Sequence, residues 1–555
     1  MANQFPKPFF FYLGALFLLN LLQSAFTELI FDEAYYWYYA QQLSWGYFDH
    51  PPMVAFMIAF SNLFFGGELG VRFMSCLMST VTIAIIWLLI DNPLKRSYIP
   101  HFFLVVFSMG LFNAYGFLTL PDTPLLFFTA LFLWRYKHFL NHNSAQNALL
   151  LGLTMTGLMY SKYHAVLVIL FVLLSNLKLI KNKYASMAVG ISLLCYLPHL
   201  NWLYENDFVS VNYHLSERPN QAYSFEGFTL GYILNLIVNF GLLFPWFYWA
   251  LFKAKTKNPF NRALVYLSYG IILFFFISSF QRRTQAQWVI AMCIPMFVLA
   301  FGLLLENQQA RKWMLRLSLL SLFVLLYARV GLVHQPLFPI VYETHGNKQW
   351  VASVEKHAGE VPVIFENSYR RAPMYAFYSG NSSFSLNNIY YRLNQYSIDG
   401  SEAKFQEKRI AYISKYTTSG DFTYNMPNGD LFYGRFIDNF ESYRNLRCFI
   451  EGETIDLNKQ NHLLKIYNPY DKNIVLSKIK FHVGYLNAYK QINEVLPLNY
   501  ELRDNNQKEL LANDTTYLQI SMPKSKKEKP FYLKFAISEN GLPPGINSNS
   551  ISVMQ

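Results

Sequence analysis

Apolar residues run in long blocks through the first part of the chain and then break up. From Phe9 to about Gly331 the blocks recur at lengths suited to a hydrocarbon core, which takes roughly 20 residues per helical crossing. From about Val333 to Gln555 polar and apolar residues mix as in a water-soluble protein. The pattern predicts spans near 9–29, 69–90, 101–119, 123–140, 147–162, 164–180, 185–204, 228–252, 263–280, 287–305 and 313–332. The stretch from Met53 to Phe65 is apolar but too short to cross, and reads as a helix at the interface. In the polar half, "VPVIFENSYRRAPMYAFYSG" reads as strand, loop and helix, and "KRIAYISKY" as another strand. After Asn473, "IVLSKIKFHV" and "FYLKFAIS" alternate with the period of a strand. Three regions are expected: a transmembrane domain over 1–332, an α/β domain over 333–470 and a β-rich module over 471–555.

Charge gives the spans an orientation. Alternate connections hold Lys95 and Arg96; Arg135 and Lys137; Lys178, Lys181 and Lys183; Lys253, Lys255, Lys257 and Arg262; and Arg311, Lys312 and Arg316. Basic loops mark the cytoplasmic side, so the intervening loops, and the C-terminal half after eleven crossings, face outward. The net charge of +12 follows largely from these turns and calls for no nucleic-acid partner. Only 14% of residues are charged, against about 25% in a soluble chain. Cys76, Cys195, Cys293 and Cys448 form neither a disulfide framework nor a metal-ligand spacing, and no phosphate-binding glycine loop occurs. Residues 9–29 lack a cleavage site, so they read as an anchor in the membrane and not as a removed leader.

Polar chemistry gathers on the outward side. The first outer loop, about 30–68, holds Asp32, Glu33, Asp49, His50 and a proline pair. The next holds Asp122 between two prolines at a helix start, followed by Lys162 and His164, and later by Arg282 and Arg283. Lys162, Arg282 and Arg283 are cations on the side where topology disfavours them, and an anionic partner such as a lipid phosphate accounts for them. Each residue also has a plainer role. Asp32 and Glu33 suit the positive end of a helix dipole, and Asp122 suits a helix cap. Arg72 reads as a snorkelling or structural charge, His164 and His199 as structural, and the Tyr and Trp of 35–47 as interface anchors.

The stretches "DEAYYW", "LSWGYFDHPPMVA", "LPDTPLLFF", "SKYHAVL" and "QAQW" resemble, in order and spacing, the motifs of GT-C glycosyltransferases of the protein-mannosyltransferase-like group. That group includes the aminoarabinose transferases of lipid A and the Rgt-type sugar transferases. The resemblance spans roughly residues 8–305. It implies an α-helical polytopic GT-C membrane protein with an extracytoplasmic C-terminal region, placed in the cytoplasmic (inner) membrane. It further implies transfer of a sugar from polyprenyl (undecaprenyl) phosphate to a lipid A, lipopolysaccharide, glycan or protein acceptor, with inversion. Asp32 then matches the first-loop acid, with Glu33 beside it, and Asp122 the second acidic position. His50 stands where some relatives carry Lys before the proline pair, which departs from their phosphate-binding pattern. No cofactor is expected, and the question of a divalent cation stays open. A transporter or flippase of a lipid-linked sugar is the competing reading. Charge gathered at one surface and the lack of an internal repeat count against it.

Overall fold

The computed structural model describes residues 5–217, 221–459, 461–502 and 507–554. Contacts divide the chain into two units, Met1–Asp207 with Tyr223–His345, and Phe208–Ala222 with Gly346–Gln555.

The first unit is helical. It runs through α1 (Lys7–Phe26), α2 (Phe31–Ala40), α3 (Met53–Asn62), α4 (Gly67–Leu89), α5 (Ile99–Phe107), α6 (Gly110–Ala114), α7 (Asp122–Asn141), α8 (Ala145–Ser161), α9 (Ala165–Ser175) and α10 (Lys183–Glu205). A single turn, α11 (Val209–Asn212), belongs to the second unit. The first unit resumes with α12 (Gly231–Phe240), α13 (Phe244–Lys253), α14 (Pro259–Ser278), α15 (Cys293–Glu306) and α16 (Gln308–Val333). Among the described residues, six helical stretches are long and apolar enough to cross a membrane: Lys7–Phe26, Gly67–Leu89, Phe225–Lys253, Pro259–Ser278, Ala286–Glu306 and Gln308–Val333. The chain is a multi-pass membrane protein.

Several helices start on an Asn cap, two of them after a basic connection. The Asn182 Oδ1 accepts from the amides of Tyr184 and Ala185, that of Asn258 from Phe260, and that of Asn307 from Ala310. α4 packs on α1 and α7, α7 on α8, α8 on α10, α9 on α14 and α13 on α15. The core between them is rich in aromatic rings, such as Phe102 edge-on to Trp87 at 5.2 Å and to Phe297 at 5.3 Å.

Several expected spans differ in the structure: that at 228–252 forms α12 and α13 around a 3-10 turn over Gly241–Leu243, and that at 287–305 opens with a 3-10 turn over Ala286–Met292. Residues 101–119 form not one helix but α5 and α6, separated at Ser108 and Met109. The Asn113 amide donates to the Phe107 carbonyl at 3.0 Å and so ends α5 from within the chain's own sequence. The span at 164–180 stops at Ser175, whose carbonyl accepts from Arg262 Nε at 2.6 Å, and a 3-10 turn over Leu177–Lys181 follows.

The second unit holds α17 (Asn347–Ala358), β1 (Val363–Glu366), α18 (Arg371–Ser379), β2 (Ser383–Leu386), β3 (Lys408–Ser414), β4 (Phe422–Asn425) and β5 (Leu431–Phe440). The sheet order is β2-β1-β3-β5-β4, with β1 parallel to both neighbours and β5 antiparallel to β3 and β4. The strand–loop–helix reading of 361–380 holds. Further sheets fill the C-terminal part, antiparallel except where Ile551–Val553 pairs parallel with Thr454–Ile455.

The expected boundaries at 332 and 470 both move. The chain beyond α16 folds back on its end, where Thr344 Oγ1 donates to the Leu332 carbonyl and His345 Nε2 to that of Gly331, each at 2.8 Å. The strands Arg447–Ile450 and Asn461–Tyr467 pair with each other, and the latter pairs with Thr515–Ser521. They therefore belong to the β-rich module, sharing its core through Leu464, Ile466, Leu518 and Ile520. Strand periodicity names a face but not a partner, and this partner lies about 50 residues further on. Residues 208–222, drawn as part of the first domain, join the second unit through Glu217, which pairs with Lys534 at 2.8 Å.

Candidate active site

Asp32 and Glu33 occupy the first turn of α2, where the helix dipole favours acids. Neighbours on a helix point in different directions, and here their environments diverge. Asp32 is half-buried. Glu33 has no exposed surface, and its Oε1 accepts from Arg72 Nε at 2.7 Å and from the Thr119 amide at 2.8 Å. Its Oε2 accepts from Arg72 at 2.5 Å and from the Ile30 amide at 3.2 Å.

Arg72 projects from α4 and is itself wholly buried, so it does not snorkel. Beyond Glu33 it donates to the carbonyls of Ser24 at 3.1 Å, Thr27 at 2.5 Å and Glu28 at 3.0 Å. Those bonds use all five guanidinium donors. Glu33 and Arg72 thus clamp the end of α1, the start of α2, α4 and the segment before α7 into one piece. Glu33 works as an anchor, and the expectation that it shares the chemistry of Asp32 does not fit its surroundings.

The clamp also positions the second acid. Thr119 Oγ1 donates to the Val71 carbonyl at 2.9 Å and shares a 2.7 Å hydrogen bond with Ser75. Thr123 Oγ1 donates to the Leu118 carbonyl at 3.0 Å. Between them Pro121 precedes Asp122, the first residue of α7. Asp122 makes no side-chain cap; its Oδ1 accepts from Lys162 Nζ at 2.6 Å, with both residues buried. Lys162 follows α8 in extended conformation, and the packing of α7 on α8 brings the pair together. The expected capping role of Asp122 gives way to this ion pair.

Tyr115 was marked by no sequence pattern. It is buried after α6 and lies within electrostatic reach of both Asp122 and Asp32. Arg329 of α16 holds the same segment, donating from Nε to Asn113 Oδ1 at 2.9 Å and from NH2 to the Asn113 carbonyl at 3.1 Å.

Much of the aromatic run after Asp32 is core, while Trp37 and Tyr38 are half-buried and Trp45 is exposed. Tyr35, Tyr39 and Tyr47 are almost fully buried, with the rings of Tyr39 and Tyr47 stacked at 4.2 Å. Tyr39 donates to Asp49 at 3.3 Å, and His50 packs edge-on to Tyr36 at 5.7 Å. His199, fully buried, bonds the Trp45 carbonyl at 2.7 Å and ties this loop to α10, while His164 packs on Phe275 and Trp288. Arg282 and Arg283 stand in the turn after α14, half-buried and exposed respectively. The turn is pinned by Asn235 to the Thr284 carbonyl at 2.9 Å. Neither arginine makes an ion pair among the described residues, and no distance ties them to the acids. Also among the described residues, no group of three or more His, Cys, Asp or Glu is placed to hold a metal ion.

The fold matches solved structures. The apo structure of ArnT from Cupriavidus metallidurans superposes with a TM-score of 0.53 at 11% identity, over 76% of this chain and 97% of that one. The chain has a GT-C fold. The same protein bound to undecaprenyl phosphate gives a TM-score of 0.52 at 12% identity, with the same coverage. Residues 49–202 match the dolichyl-phosphate-mannose-protein mannosyltransferase family, a stretch that includes His50, Asp122 and Lys162 but not Asp32. The lipid A galacturonosyltransferase RgtD of Rhizobium johnstonii is 26% identical over 301 residues, half of this chain. The match spans 61% of that relative's length.

Proposed function

We propose that this chain is a membrane glycosyltransferase that moves a hexose or pentose from undecaprenyl phosphate to a lipid A-type glycolipid. The reaction takes place at the outer face of the cytoplasmic membrane. The observation that carries this reading is the division of labour between adjacent acids. Glu33 is committed to Arg72 in a fully buried pair, while Asp32, in the same first turn of α2, is half-buried. The undecaprenyl phosphate-bound structure of the same fold and the lipid A-modifying relative support the substrate classes.

In this reading the acceptor hydroxyl attacks the anomeric carbon as its proton passes to Asp32, a general base. The bond from that carbon to the phosphate oxygen breaks, and the charge stays on the polyprenyl phosphate. Arg282, Arg283 and His50 receive that charge, and a water-poor site strengthens their effect. Lys162 acts through Asp122, holding the second carboxylate in place. One displacement inverts the anomeric centre. In this reading the N-terminus lies inside, and residues 30–68 and the second unit lie outside the membrane, as the basic connections favour.

The test is transfer by purified protein in lipid discs, with donor binding measured separately. Asp32→Asn keeps size but takes up no proton, so transfer should fall about 10²–10⁴-fold while donor binding stays. Near-normal turnover would reject Asp32 as base, and loss of donor binding would reassign it to substrate holding.

A further inference from the structure

The motif "SYRR" at 368–371 lies in the second unit, away from the chemistry assigned to the acids. It sits where β1 ends. The helix after β1 leads to β2 on one side, while β3 flanks the other, and both neighbours run parallel to β1. The carboxyl ends of β1 and β3 therefore form a topological switch point, the place where open α/β sheets take ligands.

Arginines and tyrosines collect at this point. The Arg371 guanidinium lies over the Phe432 ring at 4.5 Å, and one NH group reaches the Ser368 hydroxyl at 3.3 Å. Its Nε is buried without a hydrogen-bond partner, and it makes no ion pair among the described residues. Burial, together with the like charge of Arg370, holds Arg371 below the ordinary arginine range. Arg392 stacks between Tyr369 at 4.3 Å and Tyr213 at 5.1 Å, and Tyr391 packs on Tyr369 at 6.2 Å. The nearby acid, Glu366, accepts from Asn388 at 2.7 Å and is hydrogen-bonded to Tyr412, so it is oriented along the strand ends and forms no salt bridge with Arg371.

Arg371 is a half-buried guanidinium beside Arg370, its Nε has no hydrogen-bond partner, and Asp430 reaches it only through the electrostatic field and not as a salt bridge, so it is set up for an outside anion. Arginine's planar fork suits phosphate oxygens, and tyrosine offers both an apolar face and a hydroxyl, which suits a sugar ring. We propose that the strand-end cluster around Arg371, Arg392 and Tyr391 binds a sugar-linked phosphate of the acceptor glycolipid. The proposal rests on the glycosyltransferase reading above and names the acceptor class that this reading needs.

The experiment is equilibrium binding of the full chain in detergent to fluorescent lipid A and to the same lipid with its phosphates removed. The phosphorylated form should bind at least about ten-fold more tightly. Arg371→Gln should weaken it about ten- to hundred-fold, the size of a lost charge-assisted hydrogen bond, and leave donor binding unchanged. Arg371→Lys, which keeps charge but not the fork, should fall between, and serves if the Gln variant fails to fold. Equal affinity for both lipids, or a folded Arg371→Gln that binds like the parent, would overturn the proposal. So would displacement by inorganic phosphate at the glycolipid's own affinity, which would mark a free-phosphate site. Phosphate-selective, Arg371-dependent binding in a protein that transfers no sugar would keep this site and remove the enzymatic reading. Active transfer without phosphate selectivity would do the reverse.

Discussion

Arg72 meets both carboxylate oxygens of Glu33, at 2.7 and 2.5 Å, with neither residue exposed to solvent. A two-pronged pair of this kind fixes orientation as well as distance. It holds the start of α2, and with it Asp32, against α4 and the approach to α7. The acid that looks like a catalytic partner in the sequence is the fastening of its neighbour.

Removing one side of that pair strands a buried charge, at a cost of about 3–5 kcal/mol. Glu33→Gln and Arg72→Gln should each lower the melting temperature of the protein in detergent far more than Asp32→Asn does. Native melting of Glu33→Gln with normal transfer would show that the clamp is dispensable.

Lys162 and Asp122 should behave as one unit. Their 2.6 Å contact is buried, so Asp122→Asn and Lys162→Met each leave an uncompensated partner. The double variant should be less unstable than the sum of the singles, with a coupling of about 0.5–3 kcal/mol in a double-mutant cycle. Additive losses would mean that the pair does not stabilise the fold.

The β-rich module should lose stability as pH rises. Glu539 is buried, and burial with the nearby Glu402 outweighs Arg444 at 3.1 Å, pushing its carboxyl from 4.5 up to about 7. The folded state then holds the proton more tightly than the unfolded chain. The stabilisation is full below about pH 4.5 and is lost as pH passes through 7. Exposure of the buried Cys448 thiol on heating, mapped by mass spectrometry, reports this module. Its midpoint should drop between pH 5 and 8 in the parent and stay level in Glu539→Gln. A level parent curve would place Glu539 in the ordinary carboxylate range.

Orientation is open to thiol labelling. A cysteine at Ser419, exposed in the second unit, should react with an impermeant reagent added outside the cell. One at Lys181, exposed in the turn after α9, should not. The reverse pattern would put the acids on the cytoplasmic side and end the proposed reaction.

Much of the architecture was legible because its causes are local. Apolar run length, basic connections and the proline-flanked start of α7 each act within a few residues. The break between α5 and α6 was missed although its cause is local too, since hydropathy averaging hides one serine and one asparagine.

The sequence by itself determined a helical membrane half, a strand–helix–strand unit after it, and acids and bases in the loops between the helices. Tertiary structure alone decided what those residues do. Glu33 finds Arg72 across 39 positions, and Asp122 finds Lys162 across 40, because α4 and α7 pack together and α7 packs on α8. Tyr115, Arg329 and the strands that cross the expected boundary at 470 depend on such partners as well. Periodicity records which face of an element is apolar. It carries no label for the element that will cover that face, and a buried charge takes its role from the group it meets there.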